Sequence, residues 1–191
     1  MIDAGKDLVR KLNFSVDEYV VYGSEGVCRV EQIGHPNIAG LDSTKEYYTL
    51  MPVYKSGRIY APIDSLIPMR PAMDAETAKE LISEMPHMPS RLDVPPDSKE
   101  AAAFYKSLVR TYECRKLISI VKHVQRKQRE LACVKKNVSA ADMKFMKIAR
   151  DMICGELGFA LGVSPKDVRE RLESRCRERL ADAMAAEPAG H

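Results

Sequence analysis

Apolar and polar positions along this chain follow two rhythms, and the change falls between Ile67 and Asp74. From Phe14 to Ile67 the apolar residues come in short runs cut by turn formers. Tyr19-Val20-Val21-Tyr22 favours a strand and is stopped by Gly23-Ser24-Glu25-Gly26, which reads as a turn. Val27 to Ile33 continues as a second strand, and His35-Pro36-Asn37-Ile38-Ala39-Gly40 is a loop of breakers. Glu46–Met51 and Ile59–Ile63 flank Lys55-Ser56-Gly57-Arg58, the pattern of a hairpin. Pro62 has no N–H to give a ladder, so its strand should end there or lie at an edge. Strands this short and this close predict a small barrel or a strongly bent sheet.

Beyond that point the spacing is helical. Asp74 to Glu84 predicts a helix with Ala75, Ala78, Leu81 and Ile82 on one side. The proline-dense stretches Met85–Ser90 and Val94–Ser98 read as a linker or helix boundary. At about 100° per residue, Leu117, Ile120, Val121, Val124 and Leu131 share one side of a helical wheel. Arg115, Lys122, Arg126 and Arg129 fall opposite them. The earlier stripe of Tyr105, Leu108, Val109 and Tyr112 is out of phase with this one, which predicts a break at Glu113-Cys114-Arg115-Lys116 and two helices. Ser139-Ala140-Ala141-Asp142 has the spacing of a capping box, opening a helix that turns Met143, Met146, Ala149, Ile153 and Leu157 inward. Lys144, Lys147 and Arg150 line another edge of it. Ser164-Pro165 starts a final helix that fades into an Ala-rich tail. The fold class expected is α+β: a β module over residues 14–71, a helix and linker over 72–98, and an all-α domain over 99–187. Residues 1–13 are an extension or a short amphipathic helix.

Charge sharpens this division. The chain has 191 residues and a net charge of +3, yet residues 105–150 alone hold 13 basic and 3 acidic side chains, a local +10. Such a block suits a polyanion, usually nucleic acid, or else a solvated helix face. No apolar stretch approaches the roughly 18 residues of a membrane span, and Met1 to Asp7 lacks the apolar core of a signal peptide. The five cysteines are scattered without C-x-x-C spacing, which suits free thiols in a reducing cytosol rather than disulfides or structural zinc. Cys133 and Cys154 fall in helical stretches and read as buried thiols. The four histidines have no ligand at metal-binding spacing, and neither phosphate-loop nor catalytic motifs occur. A non-enzymatic protein without cofactor or metal is expected.

The β segment resembles the RNA polymerase-interacting module of CarD/CdnL-type bacterial transcription regulators, shared with transcription-repair coupling factors. The resemblance runs through Phe14, the acidic Asp17-Glu18 and Tyr19-Val20-Val21-Tyr22-Gly23-Ser24-Glu25-Gly26-Val27, with Gly23 where the family has Pro. It continues in Tyr47-Tyr48-Thr49-Leu50 and Ile59-Tyr60-Ala61-Pro62. Farther on, Val138-Ser139-Ala140-Ala141-Asp142, Ala149-Arg150 and Gly155-Glu156-Leu157 match the family's helical signature.

This resemblance implies a Tudor-like module that binds the β-subunit lobe of bacterial RNA polymerase through the hairpin at Arg58, Ile59, Tyr60 and Ala61. It implies a helical domain that contacts promoter DNA with little sequence preference and stabilises the open complex. The residues for DNA would be Lys106, Arg110, Arg115, Lys122, Arg126, Arg129, Lys144, Lys147 and Arg150. The family's wedge tryptophan is absent, and Glu100-Ala101-Ala102-Ala103-Phe104-Tyr105 stands in its region. Phe104 is the better wedge candidate, since Tyr105 belongs to the inward stripe, but a core role for Phe104 stays open. The expected protein is a cytoplasmic monomer. A sequence-specific helix-turn-helix repressor and a protein-only adaptor are the alternatives.

Overall fold

Residues 14–174, which the computed structural model describes, divide between Ala72 and Met73 into two units. The expected extension over 1–13, and the chain beyond Ser174 with its Arg175, Arg177 and Arg179, lie outside the described residues.

The first unit is an antiparallel sheet of five strands: β1 (Tyr19–Tyr22), β2 (Gly26–Gly34), β3 (Tyr47–Pro52), β4 (Ile59–Pro62) and β5 (Met69–Pro71). Their spatial order is β4-β3-β2-β1-β5. Alternation sends Val20, Tyr22, Cys28, Val30, Tyr48, Leu50 and Ala61 to one face, where they form the core with Phe14. Phe14 is fastened twice: its N–H donates to the Tyr48 hydroxyl at 3.2 Å and its ring meets that of Tyr48 edge-on at 6.0 Å. Burial in this core pushes the Cys28 thiol up to about 11, so it stays protonated. Pro62 ends an edge strand, as expected. The fifth strand was not foreseeable, because Met69-Arg70-Pro71 is short and poor in strand formers; it exists by pairing with β1. Among the described residues no ladder joins β4 to β5, so the sheet is open rather than a barrel.

The second unit contains α1 (Ala75–Glu84), α2 (Ser98–Val109), α3 (Cys114–Ala132), α4 (Ala140–Leu161) and a helix α5 over 165–174. Four of the five starts carry a side-chain cap, α3 being the one without. Asp74 accepts from Thr77 N–H, Asp97 from Lys99 and Glu100 N–H, and Ser164 Oγ from Asp167 N–H. Ser139 and Asp142 form the reciprocal capping box. Chain phase decides the α2–α3 break: α2 stops at Val109, and Tyr112 takes a left-handed φ of 55° before α3 begins at Cys114. The core gathers Tyr105, Leu117, Ile120, Val124, Met146, Ala149, Ile153 and Leu157.

Three expectations change here. The segment 72–98 is no free linker: Ala78 and Leu81 are buried in the helical core, and Met85, Met88, Leu92 and Val94 pack against it. Met143, expected inward, is 43% exposed, and the neighbouring Asp142 takes the buried position instead. Cys133 is exposed at the end of α3, while Cys154 is buried as expected.

Candidate functional site

On β4 and just before it, the four residues with an expected binding role separate into two kinds. Ile63 N–H donates to the Glu46 carbonyl at 3.0 Å, which makes Glu46–Ile63 a hydrogen-bonded pair. Antiparallel alternation then makes Tyr48–Ala61 and Leu50–Ile59 hydrogen-bonded as well. Tyr60, opposite Thr49, therefore turns its N–H and C=O to the open edge. Ala61 is fully buried and Ile59 packs against the core, so neither side chain faces a partner. Pro62 has no N–H, and its carbonyl already accepts from Ser65 N–H at 2.9 Å. Arg58 reaches to Glu31 on β2 with both ends of its fork, Nε–Oε2 at 2.5 Å and Nη2–Oε1 at 3.0 Å. That contact holds Glu31 below the usual carboxylate range. The edge is short, and its pairing groups sit at Tyr60.

In the helical unit the basic residues separate just as sharply. Lys122 Nζ donates to the carbonyls of Met85, Pro86 and Met88. Arg126 Nε donates to the Ser90 carbonyl at 3.1 Å, and its guanidinium pairs with Glu130. Arg115 pairs with Glu84, Lys147 with Asp151, and Arg150 with Glu173. The helical wheel placed Lys122 and Arg126 opposite the apolar stripe correctly, but the segment from Met85 to Leu92 lies over that side of α3. Lys106, Arg110, Arg129 and Lys144 are exposed and form no ion pair among the described residues. Lys122→Ala is therefore expected to lower stability by about 1.5–3 kcal/mol, the range for hydrogen bonds to a charged group. It should leave the salt dependence of any DNA binding unchanged, which a melt and a salt titration would check together.

A buried polar hub sits beneath this surface. Asp142, 1% exposed, accepts the Tyr105 hydroxyl at 2.7 Å, Lys127 Nζ at 2.7 Å and both Ser139 N–H and Oγ–H, at 3.0 and 2.8 Å. Burial pushes its pKa up, but Lys127, Tyr105 and Ser139 together outweigh this and hold it below the ordinary value. One side chain thus joins α2, α3 and the start of α4. Glu156, also buried, accepts Met73 N–H at 3.2 Å and the Cys114 thiol at 3.1 Å. His123 Nδ1 accepts Leu92 N–H at 3.0 Å, and burial lowers its pKa, so the ring is neutral. Both acids lie in motifs that resemble the family signature, Ser139–Asp142 and Gly155–Leu157. Their partners in space were not readable from spacing.

Phe104 is half-buried, packs against the helical core and meets the Tyr105 ring edge-on at 6.2 Å. Tyr105 is fully buried, as its stripe required. Among the described residues no helix is long and apolar enough to cross a membrane.

Residues 14–73 match the model of the CarD-like/TRCF RID domain family. None of the curated proteins compared matches the chain. The matched range coincides with the sheet unit, β5 included, and starts at the Phe14 that closes its core. The sheet unit is therefore a CarD-like RNA polymerase-interacting domain, and it gives the chain a transcription-related function.

Proposed function

We propose that this protein is a non-enzymatic, cytoplasmic, monomeric regulator that binds the β-subunit lobe of bacterial RNA polymerase through β4. It holds promoter DNA through exposed cations of its helical unit, with little sequence preference, and so modulates open-complex stability. The observation that carries the reading is the edge of β4, open at Tyr60, in a sheet that matches an RNA polymerase-interacting domain. Strand addition there would draw affinity from backbone pairing and specificity from the side chains alternating along the edge. For the DNA half, support comes from the exposed cations that are not spent on internal ion pairs. The repressor alternative is weaker, because α3 has Lys122 and Arg126 committed to the 85–90 segment and cannot lay that face into a major groove.

The test is the affinity of the full chain for the isolated β lobe. Tyr60→Asp sets a charge beside the pairing groups, and Tyr60→Pro removes the N–H itself. Each should weaken binding at least about tenfold, equivalent to roughly 1.4 kcal/mol. Circular dichroism should stay unchanged, since this N–H faces the open edge and has no partner among the described residues. Undiminished affinity in both variants would remove β4 from the interface.

A further inference from the structure

We infer that residues 88–94 are a strap over α3 that acid releases, with His123 as its latch. The inference goes beyond the proposed function and does not depend on it.

The way the strap is held is the first support. Residues 88–94 form neither helix nor strand, and their side chains alternate. Met88, Leu92 and Val94 pack against the helical core, while Pro89, Arg91 and Asp93 are exposed. Among the described residues, no backbone group from Pro89 to Val94 bonds to another backbone group. Three side chains within about one turn of α3 hold the strap instead. Lys122 Nζ donates to the Met88 carbonyl, Arg126 Nε donates to the Ser90 carbonyl at 3.1 Å, and His123 Nδ1 accepts Leu92 N–H at 3.0 Å. A segment without a ladder of its own belongs to the part of a structure that opens locally, below the free energy of global unfolding.

The bond from Leu92 is the one that can titrate. To accept it Nδ1 must be bare, so the proton of the neutral ring is on Nε2. Protonating Nδ1 would set one N–H against another and bury a cation, since His123 is only 5% exposed.

The surroundings do not compensate that charge. On α3, Arg126 and Lys127 act on the ring as cations, and Glu130 as an acid already paired with Arg126. On α4 the acid is Asp142, already paired with Lys127. On α2 it is the Tyr105 ring, with centroids 6.4 Å apart and its hydroxyl spent on Asp142. On the strap, Arg91 and Asp93 flank Leu92 and face solvent. Burial first, then Arg126 and Lys127, hold the ring below its usual pKa. An opened strap exposes His123 to water, where it takes up a proton near pH 6.5. The open form therefore binds the proton more tightly than the closed form, and falling pH favours opening. Opening also parts Lys122 and Arg126 from the Met88 and Ser90 carbonyls, so acid adds exposed cations to α3.

Hydrogen exchange of the full chain, read residue by residue from pH 7.5 to 5, tests this in a range where Asp142 stays ionised. After correction for the intrinsic rate at each pH, the protection factor of the Leu92 amide should be constant above about pH 6.5. Below that it should fall, by at most about tenfold per pH unit, the limit for one proton. It should also be at least about tenfold smaller than those of Ile153 and Leu157 in α4, because the strap leaves without unfolding that helix. His123→Asn supplies an acceptor oxygen at the level of Nδ1 and does not titrate, so it should keep Leu92 protected and abolish the fall. Three results would each overturn the inference: wild-type protection of Leu92 that ignores pH, a fall that persists in His123→Asn, or protection equal to that of Ile153. If the variant does not fold, the wild-type ring decides by its own NMR titration. Its pKa must lie below about 6.5, and a value at or above that overturns the latch.

Discussion

Asp142→Ala is expected to destabilise the helical unit by about 3 kcal/mol, the lower end of the 3–5 kcal/mol for breaking a buried ion pair. The lower end applies because the Lys127 side chain is 37% exposed and can turn its ammonium to water. The Tyr105 hydroxyl, fully buried, has no such escape. The hydroxyl stays in the core without its acceptor, and α4 loses one half of its capping box. Denaturant unfolding of the full chain, compared with wild type, reads this directly. The pH dependence carries the opposite check. Asp142 has a folded pKa below its unfolded one, so its contribution is present above the unfolded value, near pH 4, and is lost as pH falls through the folded value. The gap in stability between wild type and Asp142→Ala should therefore narrow as pH drops below about 4. A gap that is small at pH 7, or constant down to strong acid, would show that the hub contributes little.

Adjacent aromatics provide the second large effect and settle the question of the wedge. Tyr105→Ala should cost about 3–5 kcal/mol, since a fully buried ring in contact with His123 and Phe145 is lost together with its hydrogen bond to Asp142. Phe104→Ala should cost about 1–2 kcal/mol, because that ring is half-buried and rests on the core from outside. If Phe104 serves packing, its removal leaves the lifetime of the promoter open complex unchanged. A lifetime that shortens without any loss of stability would make Phe104 the wedge, inserted at a base step in place of the missing tryptophan.

Local physics explains what was legible along the chain. Caps and turns act within a few residues, so Asp74, Ser139 and Ser164 announced their helices, and Gly23–Gly26 announced the first hairpin. Apolar phase acts over a turn or two, so Tyr105 was placed inward and α2 was separated from α3. Pro62 marked its strand as an edge because a missing N–H excludes it from the middle of a sheet. The family match over residues 14–73 covers the strands and turns of the sheet unit.

Phase shows which side of a helix is polar, but not what lies over that side. Lys122, Arg126 and Arg129 share one side of α3 on the wheel; the first two are spent on carbonyls 34 to 37 residues earlier in the chain, and Arg129 is exposed. The hub at Asp142 draws its partners from positions 15 and 37 residues away, a convergence that no spacing rule contains. β5 exists because β1 offers it a ladder, and Lys135 is left-handed because two closing hydrogen bonds demand it. The sequence by itself determined the division into a sheet and a helical unit, the helix starts and the open edge at β4, all through interactions between near neighbours. Only the tertiary structure decided which cations face solvent and which are spent inside, because that depends on segments brought together from far along the chain.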